Sequence, residues 1–127
     1  MNKQVSLETK SIPAVTIDPT YNLIRIHKIT LQLLNNPKYI ALLVNPDTKC
    51  LAICEGKDKD PLSHRVNYET LDFGKCYELY STPLVSKLLS FIEKKEGGRI
   101  LLYGNYMEDF NISLFQLSKD SYGKDAS

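Results

Sequence analysis

One order of elements is written twice in this chain, and that repetition narrows the folds open to it more than any motif does. From Leu23 to Ile53 a short strand, Leu23-Ile24-Arg25-Ile26-His27, runs into an apolar helical stretch at Ile29 to Leu34 and then a hairpin of Tyr39 to Val44 and Cys50 to Ile53. From Cys76 to Leu117 the order returns: the strand Tyr77-Glu78-Leu79-Tyr80, a helix over Pro83 to Ile92, then Arg99 to Tyr103 and Asn111 to Leu117 around a longer turn. A duplicated supersecondary unit implies a pseudo-symmetric domain whose function is set by shape and surface.

The length of 127 residues, 43% of them hydrophobic and 24% charged, suits one domain with one core. Sixteen Lys plus Arg against fifteen Asp plus Glu leave a formal net charge of +1, so nucleic-acid binding would need a local basic patch rather than an overall excess. The N-terminus has no apolar signal region, and no stretch approaches the ~18 apolar residues of a membrane span. Three cysteines are too few and of the wrong parity for a secreted disulfide framework. A cytoplasmic protein in a reducing compartment is expected.

Along the chain, residues 1–11 are polar, and Ile12 to Ile17 reads as a strand ended by the turn pair Asp18-Pro19. In Leu23 to His27 one face carries Ile24 and Ile26, the other Arg25 and His27. Ile29 and Leu33 stack at i and i+4 with Leu34 beside them, and Asn35-Asn36-Pro37 stops the helix. Tyr39 to Val44 is nearly all apolar, as a strand covered on both faces would be. Glu55 to Ser63 is charged and turn-rich and separates the halves. His64 to Tyr68 alternates as a strand. In the second helix Ser81 or Thr82 can cap, Pro83 fits the first position, and Leu84, Leu88 and Leu89 build the stripe. Ile100 to Tyr103 with Ile112 to Leu117 reads as a closing hairpin, and the tail from Ser118 is polar.

Chemistry-bearing residues are sparse. His27 and His64 are the only histidines, with no serine or cysteine in a nucleophile motif near either. Cys50 and Cys54 lack the tight spacing and the fourth ligand of a zinc site. Asp58, Asp60 and Glu69 fall at positions one, three and twelve of a calcium loop, but Leu62 and Ser63 stand where that loop needs a ligand and a glycine. No phosphate-binding glycine loop is present. No enzyme activity, metal or cofactor is therefore expected. The eight tyrosines read mainly as sheet packing, since the basic aromatic signature of an RNA-recognition sheet is missing. The candidate nucleic-acid contacts are Arg25, His27, Lys28, Arg65, Lys87, Lys94 and Lys95: convergence on one face would make a phosphate-tracking stripe, and scatter would make them solvated faces.

The run Ile17-Asp18, Arg25-Ile26-His27-Lys28, Leu31 to Leu34, Tyr39 to Val44 and Leu51 to Ile53 resembles the swapped-hairpin DNA-binding unit of the AbrB and MraZ transcription factors. His27 stands where that unit usually has a proline, and the arginine usual within its helix is absent. Tyr77 to Leu89 with Arg99 to Leu117 resembles a domain of the bacterial sliding clamp, which is built from two βαβββ units. The chain as a whole, including Asn35-Asn36-Pro37-Lys38-Tyr39, is also similar to small uncharacterised proteins of Gram-positive bacteria and their mobile elements. The first two resemblances imply association with double-stranded DNA and a homodimer.

The expected fold is α+β. Pseudo-repeats over about 12–54 and 64–117 form one domain with disordered polar ends at 1–11 and 118–127, and two short helices pack on antiparallel sheet. The expected core is Ile24, Ile26, Leu33, Leu34, Leu42, Ile53, Leu79, Leu84, Leu88, Leu89, Leu101 and Leu114. The expected function is a non-enzymatic, DNA-associated or regulatory homodimer, with a protein-interaction module of unknown partner as the alternative. A continuous positive face would favour DNA; an apolar, tyrosine-rich one would favour a protein.

Overall fold

The computed structural model describes residues 12–71, 76–92 and 98–118. Lys94, Lys95 and the ends expected to be disordered lie outside them, apart from Ser118, which is buried. The protein is α+β, with two antiparallel sheets. The first has the order β6-β2-β1-β7, from β1 (Ala14–Asp18), β2 (Leu23–His27), β6 (Cys76–Tyr80) and β7 (Ile100–Tyr103). The second has the order β5-β3-β4-β9-β8, from β3 (Tyr39–Asn45), β4 (Cys50–Glu55), β5 (Ser63–Arg65), β8 (Asn105–Met107) and β9 (Ile112–Gln116). Among the described residues three helical segments connect them: α1 (Lys28–Leu33), α2 (Tyr68–Leu71) and α3 (Thr82–Phe91). None is long and apolar enough to cross a membrane.

Local chemistry sets the breaks. Asn22, Asn35 and Asn36 take positive φ at the ends of the β1–β2 turn and of α1, a conformation asparagine tolerates better than most residues. Ser81 caps α3, its Oγ accepting from the Leu84 N–H at 3.3 Å, and Pro83 stands in the first turn. Thr30 clamps α1 to the first sheet: its Oγ1 accepts from the Ala14 N–H at 2.9 Å and donates to the Ala14 carbonyl at 2.8 Å. This happens one residue beyond the Val15 to Ile26 rung that ends the β1–β2 register, so a side chain takes over backbone bonds that β2 no longer supplies.

One cluster of buried side chains joins both sheets and two helices. Val15, Ile17, Ile24 and Ile26 meet Ile40, Leu51, Ile53 and Phe115, with Leu31 and Leu34 from the α1 end and Val85 and Leu88 from α3. Of the expected core, Ile24, Ile26, Leu34, Ile53 and Leu88 are buried, and Leu33, Leu42, Leu79, Leu84, Leu89 and Leu114 are half-buried. Leu101 is corrected: it is 48% exposed.

The structure departs from expectation in four places. Ile100 to Tyr103 does not pair with Ile112 to Leu117. β7 pairs with β1 in the first sheet, and the closing hairpin is β8–β9 in the second. The chain changes sheets at Gly104, where an added Cβ would lie 2.4 Å from the Leu114 carbonyl oxygen and 2.7 Å from the Phe115 ring. A bend packed that closely leaves room for hydrogen alone, and such bends are where strands pass from one sheet to another. Tyr68 starts a helical turn instead of ending a strand. β3 is not covered along the whole of both faces: Ala41 is buried, but Leu43 on the same face is 47% exposed. The two strand–helix units also enter the fold differently. α1 leads from the first sheet to the second, whereas α3 leads from one edge of the first sheet to its other edge.

Candidate binding face of the four-stranded sheet

Strand alternation divides the first sheet into two unlike faces. Val15, Ile17, Ile24, Ile26, Tyr77, Leu79, Ile100 and Leu102 share the parity that turns inward. The other parity carries the chemistry. One rung across all four strands reads Glu78, Arg25, Thr16, Leu101. Flanking it are Tyr80 opposite Leu23, Cys76 opposite His27, and Ala14 opposite Tyr103.

The charged centre of this face is a three-strand network. Arg25 Nε donates to Glu78 Oε2 at 3.0 Å, and its Nη1 lies 3.8 Å from Asp18 Oδ2. The hydrogen bond to Glu78, opposed by some desolvation and aided by both carboxylates, holds the guanidinium pKa above its ordinary value. Asp18 is buried, and its Oδ1 also accepts from the Thr20 N–H at 3.1 Å, closing the turn. The Tyr80 hydroxyl reaches Glu78 Oε1 at 3.5 Å. On the other side of the rung, His27 Nε2 sits 2.8 Å from Thr16 Oγ1, and burial lowers the imidazole pKa. Burial raises the pKa of the neighbouring Cys76 thiol, with Arg25 pulling weakly the other way, so the thiol stays protonated at neutral pH.

Around this network stand large, open side chains: Tyr21 at 66% exposure, Tyr80 at 64%, Leu101 at 48% and Tyr103 at 67%. Asp18, Thr20, Tyr21, Arg25, Gly98 and Arg99 line a cleft of about 310 Å³ at one end of the sheet. A second concavity of about 540 Å³ lies in the five-stranded sheet, lined by Leu43, Ala52, Cys50, Leu114 and the β3–β4 turn.

The expected nucleic-acid contacts do not gather here as a set. Arg25 and His27 share the face, and Lys28 follows them at the start of α1. Arg65 is on β5, the edge of the other sheet, with its guanidinium 5.9 Å from the Tyr39 ring centroid. Lys87 is exposed on α3. The residues missed by sequence reasoning are Asp18, Glu78, Tyr21, Tyr80, Leu101, Tyr103 and Arg99. The period-two pattern Cys76, Glu78, Tyr80 was a signal for part of them, because it sets a carboxylate and a phenol on the face opposite Tyr77 and Leu79.

Fold and face together define a small α+β protein of two antiparallel sheets, one of which presents an open, tyrosine-bearing surface with a paired arginine at its centre. No protein-family model matches the chain, and no curated protein or solved structure matches it.

Proposed function

We propose that the protein is a non-catalytic protein-interaction module whose working surface is the outer face of the four-stranded sheet. The observation that carries this reading is the company Arg25 keeps. Its charge is shared with Glu78 and Asp18, and the large apolar and aromatic side chains exposed around it are tyrosines and a leucine. A surface built to track phosphates presents unpaired cations in a row. Protein interfaces instead concentrate tyrosine and arginine, because both cover much apolar area and still offer directed hydrogen bonds. Arg65 and Lys87 stand on other elements, which further weakens a stripe reading. Self-association of the chain is one form such binding takes.

Arg25, His27 and Lys28, close together in the chain, keep duplex DNA as the competing reading. Fluorescence anisotropy with a duplex at two ionic strengths separates them. The expected result is no salt-sensitive binding even at low salt, where non-specific attraction to phosphates is strongest. Affinity capture with the native chain and with Tyr21→Ser plus Tyr80→Ser tests the face itself. Both tyrosines are exposed, so the variant folds, and it is expected to lose the captured protein. A steep salt-dependent titration that Arg25→Ala flattens would overturn the proposal in favour of DNA.

A further inference from the structure

Four strands form the edges of the two sheets, and one of them is open in a way the others are not. β5 and β8 are three residues long, too short to template much pairing, and β5 ends in Arg65. β6 has Glu78 at its middle, so a second β6 laid antiparallel about that residue would oppose two carboxylates. β7, Ile100-Leu101-Leu102-Tyr103, has no charge, no proline and no lysine, the usual devices that blunt an edge. Among the described residues it pairs with β1 alone.

The backbone phase of β7 is fixed. The Gly104 N–H donates to the Pro13 carbonyl at 2.9 Å, and bonded residues alternate along an antiparallel ladder. Leu102 and Ile100 therefore turn their backbone groups toward β1. Leu101 and Tyr103 turn theirs outward from the sheet. These are also the two residues whose side chains stand open, at 48% and 67% exposure, on the outer face.

We infer that two copies of this chain pair through β7, antiparallel and centred on Leu102, doubling the four-stranded sheet across a twofold axis. The inference rests on the interaction-face reading above and names a second copy as the partner. A twofold normal to the sheet keeps each residue on its own face, so pairing about Leu102 sets Leu101 of each copy opposite the partner's Tyr103. The outward N–H and carbonyl groups of both residues then bond in reciprocal pairs. The same register buries a leucine against a tyrosine on the outer face twice over, the kind of cross-strand contact that stabilises sheets. No like charges meet along the strand. Tyr21, Tyr80 and the arginine cleft stay open on the combined surface.

Sedimentation velocity across micromolar concentrations tests this with the full chain. The native protein is expected to sediment as a dimer. Leu101→Glu and Tyr103→Lys, each made alone, are expected to give monomers with unchanged circular dichroism. Made together in one chain they are expected to restore the dimer, because the pairing opposes each introduced carboxylate to an introduced ammonium of the partner. Amide exchange gives a readout that needs no variant: the Leu101 and Tyr103 amides are protected in the dimer and exchange rapidly on dilution. A native chain that stays monomeric overturns the pairing. A dimer indifferent to both single changes, or not restored by the pair, overturns the β7 edge and its register. If the chain is monomeric yet Tyr21→Ser plus Tyr80→Ser still abolishes capture of a partner protein, self-pairing falls and the interaction face stands.

Discussion

Arg25 of β2 and Glu78 of β6 meet across an antiparallel rung, Nε to Oε2 at 3.0 Å, although 53 residues of chain separate them. Their contact joins β6, an edge of the four-stranded sheet, to its neighbour β2. Buried Asp18 lies 3.8 Å from the same guanidinium, so β1 is tied in as well.

Because the Arg25–Glu78 pair faces solvent, it contributes specificity of register more than stability. A double-mutant cycle with Arg25→Ala and Glu78→Ala is expected to give a coupling of about 0.2–1 kcal/mol. Repeating the urea titrations at high salt is expected to shrink that coupling, because exposed charges are screened.

Thr30 is a stronger point of leverage, since its buried hydroxyl serves both backbone groups of Ala14. Thr30→Val keeps the shape and leaves those groups unpaired, at an expected cost of about 1–3 kcal/mol. Thr30→Ser, which retains the hydroxyl, is expected to lose less. Urea unfolding of the two variants side by side measures the difference.

At Gly104 the obstacle is space. Gly104→Ala forces a methyl into the Leu114 carbonyl and the Phe115 ring, and Phe115 is fully buried. Overpacking of this kind costs about 1–3 kcal/mol, read as a fall in the thermal midpoint. Gly98, with open space around its Cβ position, is no comparable obstacle on that count; its positive φ of 118° is what disfavours a side chain there.

His27 makes stability depend on pH in a stated direction. Burial lowers its folded-state pKa from the ordinary 6.5. As pH falls through that ordinary value, the unfolded chain binds a proton that the folded ring still refuses, so the unfolded state binds more protons and stability declines. The decline ends once the folded ring is protonated too. Urea midpoints measured from about pH 7 down to about pH 5 are expected to fall for the native chain and to fall less for His27→Gln.

Much of the local structure was legible in the residues. Leu23–His27, Cys76–Tyr80 and Ile100–Tyr103 are strands where the alternation placed them, and the helices over Lys28–Leu33 and Thr82–Phe91 lie within two residues of the expected bounds. The site was legible only as fragments. Arg25 and His27 could be set on one face from their spacing, but nothing near them in the chain announces Glu78, Tyr80 or Arg99. Val15, Ile17 and Phe115 are fully buried without standing out as core in the chain, because short apolar segments do not reveal which of them will meet.

What the chain determines by itself are the features that depend on near neighbours. Strand alternation, the stop at Asn35-Asn36-Pro37 and the Ser81 cap follow from steric limits on φ and ψ and from hydrogen bonds that close within a few residues. The tertiary structure alone decided which side of β7 turns inward. Ile100 and Leu102 are no more apolar than Leu101 is, so the strand carries two eligible faces; pairing with β1, and the turn into the second sheet at Gly104, select one of them. That choice leaves Leu101 and Tyr103 in solvent beside Arg25 and Glu78. Parity in a sheet is a property of the partner strand, and a strand this short cannot carry it alone.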